Sequence, residues 1–165
     1  MAGLMLSAPT PLAEKHDLEL FQSGTESLDQ WLRRRARANQ VGGASRTYVV
    51  AEGLRVVGYY CLSSGGLDLA EAPGPIRRNM PDPIPMVVLG RLALDAGWQG
   101  KGLGAALLQD AVLRAGHAAT IVGIRGILVH AISDEAKAFY EHYGFAASPK
   151  NPMTLVLSLK GLVKD

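Results

Sequence analysis

The chain has one cysteine, Cys61, so no disulfide can form within it. A single thiol in an apolar run suits a reducing compartment. Net charge is also scarce: 17 Lys and Arg against 15 Asp and Glu leave +2. That is too little for bulk charge to argue for a nucleic-acid partner. No apolar run approaches the roughly twenty residues that span a bilayer, so no membrane segment is expected. The first residues lack a basic start followed by a long apolar core, and no signal peptide is expected either. Metal-ligand spacing is missing too. His16, His117 and His142 have no companion ligands, and Asp95 and Glu135 stand forty residues apart, so no metal is predicted. No internal repeat is visible. The chain reads as cytoplasmic.

What is present suits one globular domain, residues 1–165. The length is that of a single domain and suffices to bury a sizeable core. Apolar residues make up 48% and charged residues 19%, a globular rather than a disordered composition.

The most informative stretch is 86–111. Residues 86–94 are apolar and partly β-branched, as in a buried strand. Gln99, Gly100, Lys101, Gly102, Leu103 and Gly104 then make a glycine-rich turn. Leu103, Ala106, Leu107 and Ala111 follow at close to the three-and-four spacing of a helical apolar stripe. Glycine at such a junction lets backbone N–H groups approach a ligand with no side chain in the way. The first-turn N–H groups of the helix are uncommitted, with the positive end of the helix dipole behind them. A phosphate or pyrophosphate fits there. The turn is not a P-loop, because no Gly-Lys-Ser/Thr closes it. A dinucleotide fingerprint needs Gly-x-Gly-x-x-Gly and an acidic residue about twenty positions on. Here the spacing is Gly100-x-Gly102-x-Gly104, and apolar residues stand where the acid belongs.

Along the chain, residues 4–6 read as a short first strand ended by Pro9 and Pro11. Ser23, Gly24 and Thr25 signal a helix start. A helix is predicted over 26–40, with Leu28, Trp31, Leu32 and Ala36 as its buried stripe. Arg33, Arg34, Arg35 and Arg37 crowd the remaining surface. They form either a solvated face or a phosphate contact, since arginine forks match phosphate oxygens. Residues 46–52 and 56–63 read as a hairpin around Gly53, with Tyr59 and Tyr60 in the sheet core. Residues 73–85 hold five prolines with Arg77 and Arg78, and are expected to form a long ordered loop. Arg77, Arg78 and Arg91 add to the positive charge. The helix after the glycine turn runs to about 116. Residues 126–131 are an apolar strand, which the crossover makes a parallel neighbour of 86–94. Ser133 caps a further helix that Gly144 ends. Residues 145–147 and 153–159 read as final strands.

Gln99-x-x-Gly102-x-Gly104 resembles the acyl-CoA pyrophosphate loop of the GNAT family of N-acetyltransferases. About forty residues on, the helix that carries Tyr140 and ends in Gly144-Phe145 resembles the second signature of that family. The family's usual asparagine, seven residues before the tyrosine, is Ser133 here. Residues 43–47, 77–85, 89–93, 123–126, 129–131, 135–140 and 151–154 resemble more closely the GNAT toxins of bacterial type II toxin–antitoxin modules, the TacT-like group. The resemblance covers nearly the whole chain.

It implies an α/β (α+β) GNAT fold: a mixed central sheet of six to seven strands flanked by helices, with a splayed central strand pair. It implies acetyl-CoA as cosubstrate, held by Gln99, Gly100, Lys101, Gly102, Leu103 and Gly104, with Ser133 in the asparagine's place. The backbone of Leu92, Ala93 and Leu94 would meet the thioester, and Tyr140 would be the acid. The implied substrate is the α-amine of the amino acid on charged tRNA, whose acetylation blocks translation. The implied partners are a ribbon-helix-helix antitoxin and a second copy in a homodimer. The tRNA backbone would lie on Arg33, Arg34, Arg37, Arg77, Arg78 and Arg91.

Acyl transfer from a thioester to an amine makes three demands of its own. An α-amine has a pKa of roughly 7.7–8.0, so a useful fraction is neutral near pH 7 without a strong base. The tetrahedral oxyanion needs a donor. The departing thiolate needs a proton, which a tyrosine hydroxyl can supply. Tyr140 is either that acid or a packing residue. His130 is either a proton relay or a strand-end residue. An alternative activity is acetylation of a small amine or a protein N-terminus. A third reading is a non-catalytic CoA-binding or protein-binding module.

Overall fold

The computed structural model describes residues 6–161. In chain order its elements are β1 (Thr10–Pro11), α1 (Glu26–Arg34), α2 (Ala36–Gly42), β2 (Arg46–Glu52), β3 (Arg55–Leu67), α3 (Gly74–Arg77), β4 (Ile84–Leu94), α4 (Leu103–Ala119), β5 (Gly126–His130), α5 (Asp134–His142), β6 (Ala146–Ala147) and β7 (Thr154–Ser158). The strands form a mixed seven-stranded sheet in the order β1-β2-β3-β4-β5-β7-β6. Two compact units divide the chain. One reaches to Ser63 and includes Arg91–Ala111; the other comprises Ser64–Gly90 and the residues from Val112 onward. No helix of the described residues is long and apolar enough to cross a membrane.

In the first unit β2 and β3 pair antiparallel, with Thr47 opposite Cys61 and Val49 opposite Tyr59. Alternation along these strands turns Val49 and Tyr59 to one face, and α1 and α2 cover it with Leu32 and Ala36, both fully buried. Tyr59 is the centre of this core. It is wholly buried, and its hydroxyl donates to the Leu28 carbonyl at 2.7 Å. Phe21 meets its ring edge-on at 5.5 Å, and Trp31 stacks on it at 6.0 Å. Burial pushes the Tyr59 phenol far above its ordinary range.

The helix predicted over 26–40 is two helices. Arg35, at φ −121° and ψ −29°, leaves the helical conformation between α1 and α2. The buried stripe survives the break, because Leu32 and Ala36 still face the same core. α1 starts at Glu26, directly after Thr25, as Ser23, Gly24 and Thr25 signal. Thr25 makes no side-chain cap. Instead the buried Asp29 reaches back to Ser23, accepting from its N–H at 3.0 Å and from its hydroxyl at 2.6 Å. Of the expected strand 4–6, residues 4 and 5 lie outside the described residues. Leu6 makes an isolated bridge to Glu52. The first strand is β1, where Thr10 and Pro11 pair with Val49 and Tyr48. Pro11 thus sits within a strand at the sheet's edge, where a missing N–H is tolerated.

In the second unit β4 and β5 are parallel neighbours, as the crossover predicts, paired from Met86↔Gly126 to Val88↔Leu128. That ladder stops while β5 runs on to His130, paired antiparallel with β7 as far as His130↔Thr154. The proline-rich stretch is not loop throughout. Residues 74–77 form α3, with proline in its first turn, where no N–H is needed. Its Ile76 is buried among Leu67, Ile84, Met86 and Leu128. β4 then begins at Ile84 and takes in Pro85. Arg125 ties α3 down, donating from Nε to the Ile76 carbonyl at 3.1 Å and from Nη2 to the Pro75 carbonyl at 2.9 Å.

His16 gives the first unit a pH-sensitive point. It is buried, and its Nδ1 accepts from the Ala13 N–H at 2.9 Å. Burial first, then the charges of Lys15 and Arg37, hold its pKa below 6.5. As pH falls through 6.5, the unfolded chain takes up a proton that the folded chain resists. The stability is therefore present above that pH and lost below it. Thermal melts between pH 7.5 and 5.5 should show this loss, and His16→Gln should flatten it. An equal slope in the variant would reject His16 as the cause.

Candidate active site

β4 ends at Leu94, and the chain turns through Asp95 and Gln99 into α4. Asp95 is buried, and its carboxylate organises the turn. Oδ1 accepts from the Gln22 N–H at 3.0 Å, and Oδ2 accepts from the Gly97 N–H at 3.2 Å. Arg55 lies 3.6 Å from Oδ2. The main chain reinforces the link, since the Asp95 N–H donates to Val57 and the Ala96 N–H donates to Gln22, both at 2.8 Å. Gln99 completes it. Its side-chain amide donates to the Ser23 carbonyl at 2.7 Å and to the Leu94 carbonyl at 3.0 Å. The side chain of Gln99 thus braces the turn.

Gly100 and Gly102 have φ of 76° and 83°, the left-handed region that L side chains rarely adopt. A Cβ at either position would meet nothing within 4 Å, so the conformation and not crowding calls for glycine. Gln99, Gly100, Lys101 and Gly102 are all exposed, and α4 starts directly after them at Leu103. The N–H groups at the start of its first turn have no partner within the helix. Together with the glycine turn they offer an anion a row of bare donors at the positive helix end. Lys101 adds an ammonium, placed 5.3 Å from the Trp98 ring centroid. The short strand-to-helix connection keeps Leu92, Ala93 and Leu94 in the same unit as this turn.

The second unit holds the other predicted groups. Ser133 caps α5, its Oγ accepting from the Ala136 N–H at 3.0 Å. Tyr140 is buried on α5, its ring set edge-on against Phe139 and Phe145, each at 5.3 Å. Tyr143, three residues on, is 43% exposed. His130 is exposed at the end of β5, its Nδ1 3.0 Å from the Thr154 hydroxyl.

The six arginines divide by what their guanidinium groups touch. Arg33 donates to the Phe21 carbonyl at 2.6 Å, and Arg37 donates to the His16 carbonyl at 2.5 Å. Both secure the segment before α1. Arg34, Arg77 and Arg78 are exposed. Arg91 lies over the Trp31 ring. Among the described residues no group of three or more His, Cys, Asp or Glu side chains could hold a metal ion. Sequence reasoning missed Asp95 as the organiser of the turn. Its position just after a buried strand and before the glycines was the available signal.

A strand feeding a glycine turn and a helix N-terminus, followed by a parallel crossover and a tyrosine-bearing helix, defines an acyl-CoA acetyltransferase framework. Residues 43–147 match the acetyltransferase (GNAT) domain family, and the chain belongs to it. Over 154 residues it is 51% identical to the tRNA-acetylating toxin of Mycobacterium tuberculosis (strain ATCC 25618 / H37Rv), covering 93% of each chain. It is similar to AtaT complexed with acetyl-methionyl-tRNAfMet, with a TM-score of 0.88 and 30% identity over 96% of this chain and 97% of that one. It is also similar to a tyrosine-to-phenylalanine mutant of AtaT bound to the C-terminus of the antitoxin AtaR and acetyl-CoA. There the TM-score is 0.80 and the identity 28%, over 96% of each chain.

Two substitutions test the turn. Gly102→Ala should cost about 1 kcal/mol of stability through its left-handed φ and weaken acetyl-CoA binding, read by melting and calorimetry. Asp95→Ala should cost about 2–3 kcal/mol, mainly from lost hydrogen bonds to a charged acceptor. Arg55 is 41% exposed and contributes little to that figure. Unchanged coenzyme affinity in a folded Asp95→Ala protein would separate the carboxylate from the site.

Proposed function

We propose that the protein transfers the acetyl group of acetyl-CoA to the α-amine of the amino acid on a charged tRNA, withdrawing that tRNA from translation. The observation that carries this reading is the 51% identity, over 93% of both chains, to a tRNA-acetylating toxin. In this reading the pyrophosphate of the coenzyme lies against Gln99, Gly100, Lys101, Gly102, Leu103 and Gly104, and Ser133 makes a further contact. The neutral amine attacks the thioester carbonyl carbon, and an N–H of Leu92, Ala93 or Leu94 donates to the oxyanion. As the C–S bond breaks, the Tyr140 phenol gives its proton to the sulfur. The amine's surplus proton passes to water, and the phenol is reprotonated from solvent.

The role of Arg34, Arg77, Arg78 and Arg91 is to hold phosphates. Arg33 and Arg37 add their charge beside Arg34 while bound to the Phe21 and His16 carbonyls. A ribbon-helix-helix antitoxin restrains the activity, the working form is a homodimer, and the compartment is the cytoplasm, where charged tRNA is found.

Incubation with charged tRNA and acetyl-CoA, followed by mass spectrometry of the aminoacyl ends, tests the proposal. Acetylated aminoacyl ends are expected, and Tyr140→Phe should slow their formation about a hundredfold or more. Acetylation of a small amine or a protein N-terminus in place of charged tRNA would reject it. A Tyr140→Phe protein with wild-type turnover would reject the assigned acid.

A further inference from the structure

Arg91 stands on β4 with its guanidinium carbon 4.4 Å from the centroid of the Trp31 ring. Trp31 stacks in turn on Tyr59, at 6.0 Å and 12°. Tyr59 is itself immobilised by burial and by its bond to the Leu28 carbonyl. A guanidinium over an aromatic face is held by attraction to the ring while it keeps its five N–H donors. The nearby ion pairs Arg33–Glu26 and Arg55–Asp95 do not involve Arg91. The stacked rings therefore hold in place a cation that no described carboxylate pairs with. Its ordering cost is met before any ligand arrives.

We propose that Arg91, positioned by Trp31, anchors the last phosphodiester at the acceptor end of charged tRNA. The inference rests on the substrate reading above and deepens it. An amino acid esterified to a ribose has no free α-carboxylate. The negative charge nearest its amine is the phosphodiester on the 5′ side of the terminal nucleoside. Arg91 immediately precedes Leu92, Ala93 and Leu94. At a rise of about 3.3 Å per strand residue, its Cα lies within about 10 Å of all three amides. The arginine fork matches two phosphate oxygens. Coenzyme A also carries phosphates, but the glycine turn already offers them a row of amides.

The test compares wild-type protein with Arg91→Gln, Trp31→Leu and Trp31→Phe on two acceptors. One is charged tRNA; the other is the methyl ester of the same amino acid, which keeps the α-amine and has no phosphate. Arg91→Gln should lower the ratio of kcat/KM for tRNA to that for the ester at least tenfold. It should also make the salt dependence of tRNA binding shallower by about 0.7 in log–log slope, the share of one single-strand phosphate contact. Trp31→Leu should shift both in the same direction, and Trp31→Phe, which keeps an aromatic face, should restore them. A wild-type ratio and slope in Arg91→Gln would overturn the anchor. So would a matching loss of acetyl-CoA affinity by calorimetry, which would give the phosphate to the coenzyme. Should Trp31→Leu fail to fold, Arg91→Gln decides alone. Wild-type protein that acetylates the ester but not charged tRNA would reject the substrate reading, and the anchor with it.

Discussion

Asp95 follows the last residue of β4 with its carboxylate buried and accepting from two backbone N–H groups. A buried charge is costly unless it is hydrogen-bonded, so this carboxylate constrains everything that must supply its partners. It fixes the chain at Gln22, far away in sequence, against the exit from β4. It also curls the chain back at Gly97 before the glycines begin. Gln99 closes the same arrangement from the other side through Ser23 and Leu94. The glycine turn that follows takes its direction from a chain held by these bonds.

Ser23 joins this arrangement to the start of α1. Its carbonyl accepts from Gln99, while its N–H and hydroxyl satisfy the buried Asp29. Two buried carboxylates thus meet one short segment, 22–23, one from six residues on and the other from seventy-three. The same segment leads into the aromatic group of Phe21, Tyr59 and Trp31. Packing there orients the arginine at the mouth of β4. In the first unit the polar turn is tied to the edge of the apolar core, since Gln22 and Ser23, which hold the turn, directly follow the buried Phe21.

Much of this was legible from local pattern. The glycine turn, the Ser133 cap and the Gly144 stop depend on neighbours within a turn or two, which leave a signature in spacing, and the parallel crossover follows from the order strand, helix, strand. The parts that were not legible share a cause. The partner of Asp95 is a backbone N–H seventy-three residues away, and every residue but proline has one. Arg33 and Arg37 bond to carbonyls, which every residue has, so nothing in the sequence separates them from Arg34. The break at Arg35 carries no proline or glycine, and Leu32 and Ala36 keep helical spacing across it. α3 was hidden for the opposite reason. Its prolines read as breakers, yet in a first turn they are compatible with a helix.

The two ends of the sheet bear on how the protein behaves in a crowded solution. β1 and β6 are each two residues long, and Pro11 removes an N–H from the outer one. A foreign strand seeking to extend the ladder finds little template at either border. For a chain so rich in aliphatic strands, this brevity guards against fibre growth. It also directs recognition toward side-chain surfaces and away from strand addition.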